Sequence, residues 1–504
     1  MITFKRINTR VHYSSPTISE INVIIKTLSI DMPGAEFSDS FQSHFWDGKI
    51  KYYDRFTKTF SIGLFNRVRE ALDKKKVKYT LVNFVDRDVS WVKFSKPFLS
   101  KERDYQRESI LEYLRKGYGI IKVPTRGGKT FIAAEIIRLL IKKSPNFTIL
   151  FLADSADVFK QNIGDISNVL GIDKKDIGQI RGKDIEFKQI NVAMVQTLQS
   201  HFKKKAGDRT QEQRRKKIIK FFESVNTLMI DEVHEYGESK PRRNIIKKCK
   251  NVDYILSLSG TPKKTSLILT MNVEDLTGGV IYEIEESELV KRKVLADNRI
   301  LLLLINHPTL FGDLSYLSLH NKLIINNHTR NEILKNITNL CDSLRLKILI
   351  IFSSKEHGHK MSRLTGFTFI HGDTKEQDRE EEKLKFLKGK GGVLFASHIW
   401  KKGITLPEVD VLINASGGKE ESMILQIRGR VLGATDKKNK ALYIDFVDNC
   451  DEYFNEHSLE RIRAYESKIG MDKIDVLDTD EEKFYEDIED YLISWFGINS
   501  INNG

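Results

Sequence analysis

Short apolar runs recur through most of this chain, and a stretch with helical spacing of apolar residues follows each of them. Such runs, bounded by polar residues, are typical of strands that are buried on both faces. A first set of strands is predicted at residues 119–123, 148–152, 191–195, 227–230 and 254–258, and a second set at 347–352, 367–370, 392–396, 409–414 and 441–446. Strands that alternate with helices form parallel sheets with right-handed crossovers, so the pattern predicts two α/β domains.

The segments outside these two sets have a different pattern. Strands at 20–30 and 48–64 and a helix at 63–76 indicate a small α+β domain at the N-terminus. Residues 285–330 are expected to connect the two sets of strands and to open the second domain. We therefore expect an N-terminal domain at 1–98, α/β domains at 99–285 and 286–455, and an acidic amphipathic tail at 456–504.

Charge is distributed unevenly over the 504 residues. The formal net charge is +13, although residues 471–490 are strongly acidic, so the rest of the chain is more basic still. A basic body favours a polyanionic partner, most commonly nucleic acid, and a merely soluble basic enzyme is the alternative. The basic stretch 201–221 indicates either a solvated loop that leads into a helix or a nucleic-acid contact.

The three cysteines, Cys249, Cys341 and Cys450, lie far apart in the sequence. Their spacing argues against a zinc or iron–sulfur module and against a disulfide framework. No apolar run approaches the ~18 residues of a membrane span, and the first residues lack the apolar core of a signal peptide. We expect a cytoplasmic protein without a membrane partner.

A phosphate-binding loop is predicted directly after the strand at 119–123. Its sequence is Pro124-Thr125-Arg126-Gly127-Gly128-Lys129-Thr130, and a helix is predicted from residue 131 to 141. Strand, loop and helix in this order can cradle phosphates with backbone N–H groups and a helix N-terminus. Lys129 would reach the β- and γ-phosphates of ATP, and the Thr130 hydroxyl would bind Mg²⁺.

An acidic pair follows the strand at 227–230, in the sequence Asp231-Glu232-Val233-His234. Asp231 is predicted to hold Mg²⁺, and Glu232 to orient or deprotonate the attacking water. His234 is expected to couple the nucleotide site to the second α/β domain.

Two further segments complete a predicted ATP site. In Gln426-Ile427-Arg428-Gly429-Arg430, Arg430 would approach the γ-phosphate from the second domain, so that ATP would lie between two facing domains. Upstream of the phosphate loop, Gln106 is placed to read the adenine edge, and Arg103 or Tyr105 to pack on the ring.

Taken together, the motifs of residues 99–455 resemble those of the superfamily 2 helicases of the DExH type. Further matching segments are 153–155, 195–198, 259–262, 351–353, 396–397 and 403–407. The resemblance implies two RecA-like domains, ATP-driven movement on nucleic acid, and an ATP contact from Gly403. It also implies that hydroxyls grip the nucleic-acid backbone, and the candidates are Ser155, Thr197, Ser353, Ser397 and Thr405, while Trp400 would stack on bases or fill the interface.

The chain departs from the family pattern at two places that bear on function. Asp154-Ser155 stands where the family has Pro-Thr, and a carboxylate at that place is expected to repel a phosphate backbone. Gly433 stands where the family has a second arginine, which leaves Arg430 as the arginine expected at the γ-phosphate and Arg428 as its alternative.

The N-terminal segment Trp46-Asp47-Gly48-Lys49-Ile50, with Gly63-Leu64 after it, resembles the UvsW-like phage helicases. That resemblance implies a monomeric enzyme on branched, duplex and single-stranded DNA, which acts on forks and four-way junctions in replication, recombination and repair. Trp46, Lys49 and Lys51 are predicted to contact nucleic acid, and the alternative is that Trp46 is the core residue of a small domain. An RNA helicase and an ATP-gated clamp with slow turnover remain alternative functions.

Overall fold

The computed structural model describes residues 1–15, 17–100, 103–202, 209–249, 251–260, 266–306, 315–397, 408–418, 438–449 and 452–498. The chain forms two compact units. The first contains residues 1–124 and 128–285, and the second contains residues 125–127 and 286–504. Within the described segments, no helix combines the length and the apolar character that crossing a bilayer requires.

The N-terminal part of the first unit is a small α+β domain. Its five-stranded sheet has the order β5-β6-β2-β1-β7, and β3 pairs with β4 beside it. The elements are β1 (Ile2–Ile7), β2 (Arg10–Ser14), α1 (Ile18–Thr27), β3 (Ser29–Asp31), α2 (Asp39–Gln42), β4 (Lys49–Lys51), β5 (Tyr53–Asp54), β6 (Thr59–Ser61), α3 (Phe65–Lys74) and β7 (Tyr79–Val82).

Two of the three elements predicted in this domain need correction. The strand predicted at 20–30 is wrong, because residues 18–27 form α1 and only Ser29–Asp31 is a strand. Ile24 and Leu28 are fully buried and lie four residues apart, which places both on one face of a helical turn. The single strand predicted at 48–64 is three short strands, whereas the helix predicted at 63–76 is confirmed as α3.

The N-terminal domain shares a core with the α/β domain that follows it. Met271, from that α/β domain, belongs to the same buried cluster as the apolar residues of the small sheet. The Tyr52 hydroxyl lies 3.0 Å from Asn272 Oδ1, and Arg67 forms an ion pair with Glu274. Because a side chain at Gly63 would overlap the backbone of residues 274 and 278, the two domains pack without a gap there.

The α/β domain of the first unit is built on an eight-stranded sheet with the order β11-β10-β12-β9-β13-β14-β8-β15. All neighbours are parallel except the edge hairpin of β10 and β11. The elements are α4 (Asp104–Lys116), β8 (Tyr118–Lys122), α5 (Lys129–Lys143), β9 (Thr148–Ala153), α6 (Ala156–Leu170), β10 (Ile177–Arg181), β11 (Asp184–Ile185), β12 (Ile190–Met194), α7 (Val195–Phe202), α8 (Arg209–Ser224), β13 (Val225–Asp231), α9 (His234–Glu238), α10 (Lys240–Ile246), β14 (Tyr254–Ser259), α11 (Leu267–Thr277) and β15 (Val280–Glu283).

The second unit contains a seven-stranded sheet, parallel throughout, with the order β18-β19-β17-β20-β21-β16-β22. The two parallel sheets and the α+β domain before them confirm the predicted fold class. The elements are α12 (Glu286–Lys291), β16 (Asp297–Asn306), α13 (Tyr316–His320), α14 (His328–Ser343), β17 (Lys347–Phe352), α15 (Lys355–Thr365), β18 (Phe369–Ile370), α16 (Glu376–Lys388), β19 (Gly392–Ser397), β20 (Val411–Asn414), β21 (Lys440–Asn449), α17 (Glu452–Ile469), β22 (Ile474–Asp478) and α18 (Phe484–Phe496).

Two segments of this unit differ from their predicted form. Residues 285–330, expected as a connection, contain β16, which pairs with β21 along ten residues. The acidic segment 456–504 supplies β22, which pairs with β16, and α18, which buries Phe484, Ile488 and Leu492 in the core of the sheet. The acidic segment therefore packs in the core of the second unit, where it contributes a helix and a strand.

Candidate active site

The phosphate loop predicted from the sequence follows β8, an interior strand of the first sheet, and leads into α5. Arg126 and Gly128 both have left-handed backbone, with φ of 68° and 84°. A Cβ at Gly128 would overlap the side-chain amide of Gln106, so the position requires glycine. Left-handed backbone directly before a helix N-terminus is typical of loops whose N–H groups bind phosphate.

The acidic pair lies at the carboxyl end of β13, between β9 and β14. Lys129 Nζ donates to Glu232 Oε1 at 3.0 Å, and the Ser259 hydroxyl donates to Glu232 Oε2 at 3.3 Å. Glu232 itself has left-handed backbone, with φ of 48°. The Glu232 carboxylate, directly after β13, therefore contacts Lys129, which follows β8, and Ser259, which ends β14. The sequence predicted Lys129 and Glu232 as site residues but missed Ser259, which it had placed only in a family motif.

Asp231, like Glu232, is half-buried. Burial, reinforced by the negative charge of Glu232, raises the pKa of Asp231 to about 7, although the positive charge of Lys129 opposes the shift. The Glu232 backbone N–H donates to Asp231 Oδ1 at 3.0 Å. A carboxylate in this environment gains from a nearby cation, and carboxylate with hydroxyl oxygen is a ligand set that suits Mg²⁺. Asp231 and Thr130 therefore fit the predicted metal position chemically.

An aromatic stack lies beside the loop, where the sequence predicted the adenine contact. The Phe131 ring at the start of α5 stacks on Phe98, with 4.4 Å between ring centroids, and the Arg103 guanidinium lies 5.2 Å from the Phe131 ring. Gln106 Nε2 donates to the Tyr105 hydroxyl at 3.2 Å, and Tyr105 has no exposed surface. Sequence reasoning missed Phe98 and Phe131, although both are aromatic residues adjacent to predicted site segments.

Four of the hydroxyls predicted to contact nucleic acid are among the described residues, and they lie at or after the carboxyl ends of parallel strands. In the first unit, Ser155 follows β9 and caps α6 by accepting from the Val158 N–H, and the Thr197 hydroxyl accepts from the Gly182 N–H at 2.9 Å. In the second unit, the Ser353 hydroxyl donates to the Ser416 carbonyl at 3.2 Å, and Ser397 ends β19. Each pair therefore lies at one edge of its sheet.

The predicted repulsion at Asp154 needs correction, because the carboxylate has a partner. Arg242 Nη2 lies 3.3 Å from Asp154 Oδ1, and Asp154 is only 12% exposed. Arg242 lies in α10, far from Asp154 in the sequence, so the local sequence around Asp154 could not predict this ion pair. The pair removes most of the negative charge that Asp154 would present to a phosphate backbone.

Comparisons with known proteins agree with these motifs. The family described as "Type III restriction enzyme, res subunit" matches residues 99–264, and "Helicase conserved C-terminal domain" matches residues 329–434. The "ATP-dependent DNA helicase uvsW" of Enterobacteria phage T4 is 21% identical over 87% of this chain and 91% of its own length. The chain thus carries both helicase domains and is similar to the UvsW-like superfamily 2 helicases.

Other relatives of this helicase are more distant in length or in sequence. The "DNA 3'-5' translocase XPB2" of Sulfurisphaera tokodaii is 24% identical over 68% of the helicase and 81% of its own length. The solved structure "S. cerevisiae Dbp5 bound to RNA and ADP BeF3" aligns with a TM-score of 0.53 at 16% identity, covering 77% of the helicase and 92% of that chain. The last comparison shows the fold alone. The helicase is an ATP-dependent enzyme that acts on nucleic acid.

Several predicted site residues lie outside the described part of the helicase. They are Trp400, Gly403, Thr405, Gln426, Arg428 and Arg430. His234 begins α9, but its side chain is also outside the description. The roles of all these residues stay predictions.

The predicted N-terminal contact residues form hydrogen bonds and ion pairs within the N-terminal domain. Trp46 is half-buried, and its indole Nε1 donates to the Lys49 carbonyl at 3.0 Å. Lys49 pairs with Asp31 at 2.5 Å, and Lys51 pairs with Asp47 at 2.7 Å. Each of the two lysines thus forms an ion pair with a neighbouring carboxylate, which reduces the net positive charge of this segment.

Proposed function

We propose that this helicase couples ATP hydrolysis to movement along DNA and remodels branched DNA such as forks and four-way junctions. The observation that carries the ATP-driven part is the convergence of Lys129, Glu232 and Ser259 at one edge of the first sheet. The preference for DNA is supported by the phage T4 relative, a DNA helicase that aligns along 91% of its own length.

At the phosphate loop, Lys129 neutralises charge on the β- and γ-phosphates of the substrate ATP. Binding of the triphosphate competes with Glu232 for the Lys129 ammonium, because the two now lie 3.0 Å apart. Release of Glu232 leaves its carboxylate, held by Ser259, able to accept a proton from the attacking water. The helicase site thus changes from a closed ion pair to an active base when substrate enters.

Two groups complete the proposed chemistry. Thr130 and Asp231 would hold Mg²⁺, which would supply positive charge to the phosphates. Arg430, with Gln426 beside it in sequence, stabilises the γ-phosphate, and Arg428 is the alternative arginine. An arginine in this role can contribute about 10³–10⁵ in rate.

The substrate class is tested with one panel of nucleic acids. ATP hydrolysis and strand exchange by the full chain are measured with a fork, a four-way junction, linear duplex DNA, single-stranded DNA and RNA of matched length. We expect the fork and the junction to give the strongest stimulation and ATP-dependent strand exchange. Equal or stronger stimulation by RNA would replace DNA as the substrate, and ATP hydrolysis without strand exchange on any substrate would favour a clamp.

A further inference from the structure

The turn between β5 and β6 exposes an aromatic ring at the edge of the N-terminal sheet. Phe56 lies in this turn with 99% of its surface exposed. Because β5 is the outermost strand, the turn projects from the margin of the five-stranded sheet. Burial of a phenylalanine side chain normally stabilises a fold, so a ring left wholly in water calls for an explanation.

The backbone around Phe56 is firmly held. Asp54 Oδ1 accepts hydrogen bonds from the N–H groups of Phe56 and Thr57, each at 2.9 Å. The Tyr13 N–H donates to the Lys58 carbonyl at 2.9 Å, which ties the far side of the turn to β2. A side chain presented from a fixed backbone loses little conformational entropy on binding.

The surroundings of Phe56 are cationic. Arg55 and Lys58, on either side of it in the turn, are exposed. The adjoining sheet adds two exposed cations, Lys5 on β1 and Arg10 on β2, and Arg10 donates to the Thr59 hydroxyl at 2.6 Å. Asp54 is the one carboxylate of the turn sequence, and it is used in the two backbone hydrogen bonds.

A second exposed phenylalanine in the same domain provides a contrast. Phe37 is 81% exposed, but Glu36 precedes it and Asp39 follows two residues later. Carboxylates beside Phe37 repel phosphate, whereas cations beside Phe56 attract it. An aromatic ring between cations is the combination that single-stranded nucleic acid recognises, since bases stack on the ring and phosphates lie against the charges.

We propose that the turn of residues 54–59 is a DNA contact in which Phe56 stacks on the unpaired base at a branch point and Arg55 and Lys58 hold the adjacent phosphates. This site is separate from Trp46, Lys49 and Lys51, which the sequence had indicated. The proposal rests on the proposed function, since a helicase that remodels forks needs a surface that holds the base next to the junction.

The test measures equilibrium binding of the full-length helicase to a fork that carries 2-aminopurine at the branch point. We expect Phe56→Ala to weaken fork binding about tenfold, as one lost stacking contact does, and to abolish the fluorescence change of the 2-aminopurine. Phe37→Ala, the matched control, should bind like the parent protein, and Phe56→Trp should retain both signals. Thermal stability should be equal in all four proteins, because the substituted rings are exposed.

Unchanged fork affinity and fluorescence in Phe56→Ala would overturn the proposal, including the case in which a protein partner covers the ring. An equal loss in Phe37→Ala would overturn it as well, since charge would then not select the site. If the parent protein binds forks no better than single strands, the branched-DNA function fails. A loss in Phe56→Ala on 2-aminopurine single strands would still support the stacking contact in that case.

Discussion

Charged side chains form ion pairs inside both units of this helicase, but the two groups of ion pairs differ in their exposure to solvent. In the second unit, Arg461 donates to Asp445 at 2.8 Å, to the Gly418 carbonyl at 2.7 Å and to the Phe446 carbonyl at 2.8 Å. Asp445 also accepts from the Tyr465 hydroxyl at 2.7 Å and from Asn414 at 2.8 Å. Every part of this pair is held by the fold.

At the end of β13 in the first unit, the charged side chains are more exposed to solvent. The Glu232 side chain is 35% exposed, and its Oε1 lies 3.0 Å from the Lys129 ammonium. Burial and the negative charge of Glu232 raise the pKa of the neighbouring Asp231. A carboxylate with a raised pKa, beside a partly exposed ion pair, is typical of a functional site. The comparison indicates that the Arg461–Asp445 ion pair stabilises the fold, whereas the Lys129–Glu232 ion pair at the end of β13 serves ligand binding.

The largest expected effect is that of Glu232→Gln. The amide keeps the shape of the side chain but cannot accept a proton, so nucleic-acid-stimulated kcat should fall by about 10²–10⁴ while ATP still binds. Stopped-flow ATP binding and steady-state hydrolysis check both parts. The control is Glu223→Gln, an exposed residue in α8. A kcat within twofold of the parent would show that Glu232 does not act on water.

Arg461→Met should have the opposite profile. Removing the arginine leaves Asp445 buried without its charge partner, and the free energy of unfolding should fall by about 3–5 kcal/mol. Urea unfolding followed by tryptophan fluorescence measures this, with the exposed Arg463→Met on the same helix as control. ATP affinity of the folded variant should be unchanged. A loss below about 1 kcal/mol, the range of surface pairs, would remove the contrast between the two regions.

Ser259→Ala sharpens the comparison within the active site. The hydroxyl donates to Glu232 at 3.3 Å, and hydrogen bonds to charged groups are worth about 1.5–3 kcal/mol. We expect kcat to fall about tenfold with unchanged thermal stability. Ser257→Ala, the same substitution earlier in β14, is the control for changes in the strand. Equal effects of the two substitutions would assign the loss to the strand rather than to Glu232.

The smallest effect concerns pH and the second unit. Burial, with the positive charge of Arg330, lowers the pKa of His357 well below its usual 6.5, and its Nε2 lies 2.8 Å from Asn331 Oδ1. The unfolded chain therefore binds a proton first, so stability is lost as pH falls below about 6.5. Relative to His357→Gln, the parent protein should lose up to about 1.4 kcal/mol per pH unit in urea unfolding. Parallel pH profiles for the two proteins would contradict this.

The sequence predicted the sheet strands well where apolar runs were short and rich in β-branched residues. Among the strands that it missed are β16, in which Leu301–Leu304 lie in a run that also suits a helix, and the edge strand β22, in which acidic residues alternate with apolar ones. A strand at the edge of a sheet carries a weaker apolar pattern than a central one, since one side faces water.

The candidate site was predictable as far as its residues are consecutive. The phosphate loop and the acidic pair each follow a strand directly, so local spacing located Lys129, Asp231 and Glu232. The partners that tune them come from distant segments. Arg242 pairs with Asp154 and Ser259 bonds Glu232 only after the parallel strands are arranged side by side. Charge pairing across a sheet depends on strand order, which single-sequence patterns do not determine.

The most direct test of the account is nucleic-acid-stimulated ATP hydrolysis by Lys129→Ala, measured beside Lys142→Ala, an exposed lysine near the end of the same helix. Lys129→Ala is expected to lose at least about 100-fold in kcat and to keep the parent melting temperature, because Lys129 acts on phosphate charge and does not hold the fold. Lys142→Ala should match the parent in both respects. Parent-like hydrolysis by Lys129→Ala, or a loss of activity accompanied by unfolding, would contradict the assignment of the β13 edge as the motor's catalytic centre.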